Sequence, residues 1–262
     1  MPSPQVDRAE SKAYYENFSF RVGQRDWLLP NRRHAQLRVF VRDVLGAGRD
    51  RTILDVGCGA GVMTSFLTRF GTVMGTDFST AAIEAARRIV PGVDFVAGTF
   101  DDLPRGRRFD AVMLFDVLEH IPAAEREGFL GQLEALLAEG GLVFVSTPHP
   151  AATRHKKEIG DPHLQVIDEE VELVDVVAEA ASAGLQLVRY QAYDVFRGSP
   201  EYQFMVFTRR GAQGGPPVLR DPRAKRPGPR AWRWRNAARS LRAGRRGVAR
   251  WFLDGTPPDI KS

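Results

Sequence analysis

The chain has 262 residues, 43% of them hydrophobic and 26% charged, enough to bury one substantial core, so one large domain with extensions is expected. Its one cysteine, Cys58, excludes an intramolecular disulfide and a multi-thiolate metal site, and it fits a reducing, cytoplasmic setting. No window approaches the roughly 18 apolar residues of a membrane span, and MPSPQVDRAESKAYYENF at the start lacks the apolar core of a signal peptide, so a soluble or peripheral protein is expected.

The net charge of +5 is unevenly placed. Thirteen of the 37 Lys and Arg residues lie beyond Arg210 against three Asp, which leaves an acidic body and a strongly basic tail.

In chain order, residues 1–48 are expected to form a helical N-terminal cap, with Leu37, Phe40, Val41, Val44 and Leu45 spaced for one face and an interruption at Pro30. From Thr52 onward short β-branched runs alternate with longer amphipathic stretches, the pattern of β-α units around a largely parallel sheet. Strands are predicted near 52–56, 72–76, 93–97, 109–114, 141–147, 185–195 and 202–209, and helices near 60–69, 79–89, 123–138 and 168–183. Only Gly198-Ser199-Pro200 separates the last two strands, too short for a parallel crossover, so the final strand should run antiparallel to its predecessor. The predicted fold is therefore α/β and Rossmann-like, a mostly parallel seven-stranded sheet over residues 49–210 with helices on both faces. Residues 211–262 read as a Gly/Pro linker followed by a basic amphipathic tail.

The first strand, Ile53-Leu54-Asp55-Val56, runs into Gly57-Cys58-Gly59-Ala60-Gly61. Glycines between a strand and a helix let the backbone approach a ligand closely, where a side chain would occupy the space or forbid the dihedrals. A dinucleotide loop fits less well, because Val62 stands where its third glycine belongs, and no G-K-[ST] follows for a phosphate loop. The second strand ends at Asp77, about 20 residues on, where a carboxylate either accepts the two hydroxyls of a ribose or caps the helix beginning near Ser79.

The segments D-V-G-C-G-A-G, G-T-D-F-S, F-D-A-V-M-L-F-D-V-L-E-H-I and G-G-L-V-F-V-S-T-P resemble the successive motifs of class I S-adenosylmethionine (SAM)-dependent methyltransferases, over roughly residues 50–210. The V-L-E-H and S-T-P segments are similar to those of 3-demethylubiquinone-type O-methyltransferases. The resemblance implies SAM as cofactor and S-adenosylhomocysteine as product, with Asp55, Gly57, Gly59 and Gly61 lining the methionine part, Cys58 as a small filler, and Asp77 with its neighbour Phe78 at the ribose. The family often places an Asp after the glycine of the third loop. This chain has Gly98-Thr99-Phe100-Asp101-Asp102 there, so Thr99 can accept a hydrogen bond from the adenine, Phe100 can stack on it, and Asp101 either replaces the carboxylate or is a solvated turn acid.

Methyl transfer from a sulfonium is an in-line displacement, and a poorly acidic hydroxyl needs a base. Ligands of open α/β sheets bind beyond the carboxyl ends of the strands, which points to Phe115 at the cofactor and to Asp116, Glu119 and His120 at the acceptor. His120 is the preferred general base, since histidine ordinarily titrates near about pH 6.5; Glu119 and His120 as a structural pair is the alternative. His149 lies at the same edge, and His155 and His163 sit on a polar stretch fit for a lid. These histidines with Asp161 and Glu119 form no compact ligand motif, so no metal is assigned.

The absence of a spare thiol excludes cysteine-based attack on a pyrimidine, and Phe115-Asp116-Val117-Leu118 is not the [DN]-P-P-[FY] run of enzymes that methylate exocyclic base amines. Tyr14, Tyr15, Phe18, Phe20 and Arg25-Asp26-Trp27 are candidates for acceptor recognition. In residues 230–253, Trp234, Leu241 and Val248 recur every seven positions among arginines, a pattern for lying on an anionic membrane surface and meeting a lipid-linked acceptor. The expected function is O-methylation of a hydroxylated small molecule, lipid or sugar. The alternatives are an RNA-directed methyltransferase using the basic tail, nucleic acid being the less favoured partner, and a non-catalytic SAM-binding protein.

Overall fold

A computed structural model describes residues 26, 27 and 32–211, apart from 163, 166 and 197. The elements run α1 (Arg32–Leu45), β1 (Arg51–Val56), α2 (Thr64–Leu67), β2 (Gly71–Asp77), α3 (Thr80–Ile89), β3 (Asp94–Ala97), β4 (Phe109–Phe115), α4 (Ala123–Leu136), β5 (Leu137–Pro148), α5 (Pro150–Glu158), α6 (Leu173–Ser182), β6 (Leu185–Tyr193) and β7 (Tyr202–Arg209). The seven strands form one sheet in the order β3-β2-β1-β4-β5-β7-β6. All neighbours from β3 to β5 pair in parallel, while β7 is antiparallel to both β5 and β6. This is the Rossmann-like sheet expected from the sequence, including the reversed last strand.

Alternation along the strands divides the core in two. Leu54, Met74, Val112, Leu114, Val143, Val145, Met205 and Phe207 face Leu130 and Leu133 of α4 and Val176 and Ala180 of α6. The intervening residues Ile53, Val73, Ala111, Met113, Leu142, Phe144, Phe204 and Val206 face Leu37, Phe40, Val41, Val44 and Leu45 of α1 and Phe66 and Leu67 of α2. Phe144 and Phe204 stack at 5.4 Å between centroids, with Phe40 4.5 Å from Phe204. Burying each such side chain contributes roughly 1.5–3 kcal/mol, so α1 is held to the sheet by its apolar stripe as firmly as the later helices. Helix α3 is capped by the Ser79 hydroxyl, which accepts from the Ala82 N–H at 3.2 Å, and it buries Ile83 and Ala86 against Phe95 and Cys58.

Four local expectations differ, the first being that helix α6 begins at Leu173, five residues later than predicted. The helix predicted over 60–69 is confined to Thr64–Leu67, because residues 57–61 are taken up by turns, with Gly61 N–H donating to the Cys58 carbonyl at 3.0 Å. Helix α5 stands where a polar lid was expected: Pro150 occupies its first turn, and His149 caps it by accepting the Ala151 N–H. Strand β5 begins at Leu137, four residues early, and a register shift between Phe109 and Ala111 on β4 absorbs the extra length.

The sheet order reverses between β1 and β4, which brings the loops after these two strands together at the carboxyl edge. Gly71, opening β2 beside Arg51, has φ +154°, and a Cβ there would lie 1.9 Å from the Arg51 carbonyl oxygen. Gly71→Ala should therefore lower the unfolding free energy by about 3 kcal/mol in a urea titration. Gly128→Ala, at an open position on α4, should raise it by roughly 0.5–1 kcal/mol; equal midpoints for the two variants would refute this reading of β2.

Candidate active site

Two carboxylates at the ends of adjacent strands define the first half of the site. Asp55 in β1 is 1% exposed and accepts the Thr64 hydroxyl at 2.6 Å. Burial pushes its carboxyl up to about 7, the Thr64 bond pulling the other way and the Asp77 charge adding to the rise. Asp77 ends β2, also buried; one oxygen accepts the Gly59 N–H and the other the Ser79 N–H, each at 2.9 Å. Burial raises it, and those two donors hold it down. Each carboxylate oxygen has two lone pairs, so Asp77 keeps acceptor capacity for a further hydroxyl pair while it fixes the loop.

The glycines between them divide by role. A Cβ on Gly57, at φ +66°, would come 2.5 Å from the Val117 Cγ2, and one on Gly61 would meet Val90 and Ala86. Left-handed backbone (φ +66° and +82°) together with this tight packing disfavours side chains at these two positions. Around Gly59 no described residue lies within 4 Å of the added carbon. Cys58 donates its N–H to the Thr76 carbonyl at 3.0 Å, and its thiol is held well above its ordinary value by burial and by the charges of Asp55 and Asp77. A protonated, enclosed thiol is a filler and no nucleophile. Trp27 closes the back of the loop, its ring against the cluster of Cys58, Ile83 and Val90 and its Nε1–H donating to the Ala60 carbonyl at 2.9 Å.

Phe78, just past Asp77, is 39% exposed at the mouth. In the third loop Asp102 folds back to accept the Thr99 N–H at 2.8 Å, and its neighbour Asp101 is exposed. Phe100 lies against Phe129 at 5.3 Å between centroids, and Phe115 against Phe144 at 5.7 Å.

The second half is built after β4 and β5. Asp116 has φ 57°, the one non-glycine residue at positive φ among those described. Its N–H donates to the Ser146 carbonyl at 2.9 Å, and its carboxylate is ion-paired with Arg33 of α1. Arg33 is buried, lies 4.3 Å above the Tyr202 ring and reaches the Ser146 hydroxyl at 3.4 Å, which in turn meets the Tyr193 hydroxyl at 3.1 Å. Left-handed backbone costs a non-glycine residue on the order of 1–2 kcal/mol, offset here by that ion pair and the Ser146 bond.

Glu119 and His120 form a 3-10 turn with Leu118. Glu119 is 2% exposed, one of its carboxyl oxygens has no hydrogen-bond partner among the described residues, and burial raises it while the His120 and Arg33 charges pull it down. The His120 Nδ1 is 2.6 Å from the Ile167 carbonyl, which can only accept, so the neutral ring carries its proton on Nδ1 and its lone pair on Nε2. His149 is drawn into the α5 cap. His163, residues 14–25 and the tail 230–253 lie outside the described residues. Arg33, Tyr193, Tyr202, Ile167 and Asp168 were not singled out in the sequence, since each joins the site from a distant segment with no motif of its own.

A buried carboxyl pair, a glycine-rich turn and a donor-bound Asp77 at the switch point match a cofactor that carries a positive charge, an amino acid group and a ribose. Residues 53–141 match the family described as "Methyltransferase domain", and the chain belongs to the class I SAM-dependent methyltransferases. Among its relatives, a ubiquinone biosynthesis O-methyltransferase of Mesorhizobium japonicum is 32% identical over 174 residues, covering 56% of this chain and 67% of the relative. Another of that name, from Nitrobacter winogradskyi, is 33% identical over 168 residues, 56% of this chain and 62% of the relative, which is less than two thirds of its length. The fold is shared with a putative methyltransferase solved with the Haloferax volcanii Trm112 activator (TM-score 0.61, 16% identity, 76% of this chain and 97% of that one). It is shared too with a DhpI complex containing SAM (TM-score 0.59, 18% identity, 78% and 100%).

The cofactor's cations give Asp55 a test. With its carboxyl raised to about 7, Asp55 is largely protonated at pH 6, and a cation bound beside it favours ionisation. Calorimetric titration with SAM at pH 6 should release up to about one proton, seen as a dependence of the heat on buffer ionisation enthalpy. The release should fade by pH 8.5 and disappear in Asp55→Asn. Heats independent of buffer at pH 6 would refute it.

Proposed function

We propose that the chain transfers the methyl group of SAM to a hydroxyl oxygen of a small molecule, with His120 as general base. The observation that carries this reading is the Ile167 carbonyl at 2.6 Å from His120 Nδ1, which commits the neutral imidazole to the form whose Nε2 can receive a proton. The names of the O-methyltransferase relatives support oxygen as the acceptor atom.

When bound, SAM supplies an electrophilic methyl carbon on a sulfonium. Asp77 would hold the ribose hydroxyls, with Phe78, Thr99, Phe100 and Asp101 at the adenine side and Phe115 along the cofactor, while Asp55 would face the methionine end beside Gly57, Gly59 and Gly61. His120 Nε2 would take the proton that the acceptor hydroxyl gives up as its oxygen bonds to the methyl carbon, the sulfonium departing as a neutral thioether. Glu119, next in sequence and buried, stabilises the resulting imidazolium electrostatically. The Arg33–Asp116 pair borders the acceptor side with Tyr202, and His149 shapes its rim.

His120→Gln should reduce the turnover of a catechol probe by about 100-fold or more while SAM binding by calorimetry stays within a few-fold of native. Retained turnover removes His120 as the base, and an absence of methylation across a broad panel of phenols, catechols and sugars favours a non-catalytic SAM-binding protein.

We further propose that the acceptor is lipid-linked and that residues 230–253 bring the protein to an anionic membrane. The tail's arginines interleaved with Trp232, Trp234, Trp251 and Phe252 support this. Sedimentation with phosphatidylglycerol liposomes should be salt-sensitive and lost on truncation after Arg210; native protein that stays in the supernatant at low salt would exclude it.

A further inference from the structure

The segment between α5 and α6 wraps the His120 turn. The Glu169 N–H donates to the Glu119 carbonyl at 2.8 Å, two residues from the carbonyl of Ile167 that accepts from His120. Asp168 stands between these contacts. One of its oxygens accepts the Gln165 N–H at 2.6 Å, closing the turn that carries Ile167, and the other lies 3.6 Å from His120 Nδ1. The two side chains are 16% and 15% exposed, so solvent screens their interaction little. The same segment is anchored outward by Arg154, which pairs with Glu170 and Glu172 at 2.9 Å.

We infer that Asp168 is a positioning residue for His120: it fixes the turn that presents the Ile167 carbonyl and places a negative charge behind the protonated Nδ1. Resting on the reading of His120 as base, it does two things for the reaction. It keeps the lone pair on Nε2 before proton transfer, and it favours the imidazolium afterwards, with no proton passing to Asp168 itself. The carbonyl favours that tautomer but carries only a partial charge, whereas a carboxylate beside Nδ1 strengthens the preference and also offsets the full charge that develops on the ring. Asp168 is 48 positions beyond His120, within the acidic run Asp168-Glu169-Glu170, and its side chain faces the imidazole.

The tautomer can be read without any acceptor. Long-range ¹H–¹⁵N correlation spectra of the full chain labelled at histidine, at pH 8, should show His120 with a protonated Nδ1 and a bare Nε2, the signals being assigned by their loss in His120→Gln. In Asp168→Ala that preference should collapse toward the Nε2–H form that free histidine favours, while binding of S-adenosylhomocysteine confirms a folded cofactor site. If Asp168→Ala does not fold, Asp168→Asn decides the matter: it keeps an acceptor for the Gln165 N–H and loses the charge, and a smaller move in the same direction is required. On the catechol probe its kcat should fall about tenfold with KM within about twofold. A native His120 with its proton on Nε2, or unchanged signals in the folded variants, overturns the inference. Full activity of His120→Gln would instead overturn the base reading and leave the tautomer result standing.

Discussion

The site depends on burying two carboxylates, Asp55 and Asp77, at neighbouring strand ends, where the donors that meet them among the described residues are neutral. An isolated buried charge is costly, and the chain offsets the cost with neutral donors: the Thr64 hydroxyl for Asp55, and the Gly59 and Ser79 N–H groups for Asp77. The offset is partial, since both carboxyls remain raised by burial. A ligand bearing positive charge beside Asp55 relieves that strain, so part of the stabilisation such a site lacks when empty becomes affinity for the cofactor. The same bonds shape the glycine turn, because Asp77 holds Gly59 from the next strand.

The two halves of the site are mechanically joined at Val117. Its side chain fills the space that a Cβ on Gly57 would need, and its neighbour Asp116 carries the left-handed kink and the ion pair to Arg33. Helix α1 therefore belongs to the machinery as well as to the core: the apolar stripe from Leu37 to Leu45 docks it on the sheet, and docking delivers Arg33 to the carboxyl edge. A buried pair of this kind is weak evidence for net stability; its geometry, with Tyr202 beneath the guanidinium, reads better as a device for fixing where the helix begins.

What could be read from the sequence follows the range of the interactions. Strand positions and the reversed last strand were legible because apolar alternation and the short Gly198–Pro200 connection are local signals. Asp55, the glycines and Asp77 stood out for the same reason, since they lie within one β-α-β unit, and the structure places the two carboxylates at neighbouring strand ends. Helix α5 carried a local signal too, a proline after a capping residue, yet its polar composition masked it. The role of Gly57 was only half legible: the need for glycine was visible, but Val117, some sixty residues away, is what enforces it.

The proposed base shows the same limit from the other side. His120 stands out in the sequence as a histidine at the end of the fourth strand, but whether it can accept a proton at Nε2 depends on the Ile167 carbonyl, 47 residues further on. No pattern around residues 165–168 marks them as partners of an imidazole, because a backbone carbonyl has no residue identity and Asp168 sits in an acidic run that reads as a solvated surface. Asp55, the glycine turn and Asp77 are thus written in short motifs, while Arg33, Asp116, Tyr202 and Ile167 are brought to the same edge from distant segments by the sheet. Since those contacts depend on how α1 and the α5–α6 segment dock, acceptor choice can change by altering the docked segments while Asp55, the glycine turn and Asp77 stay as they are.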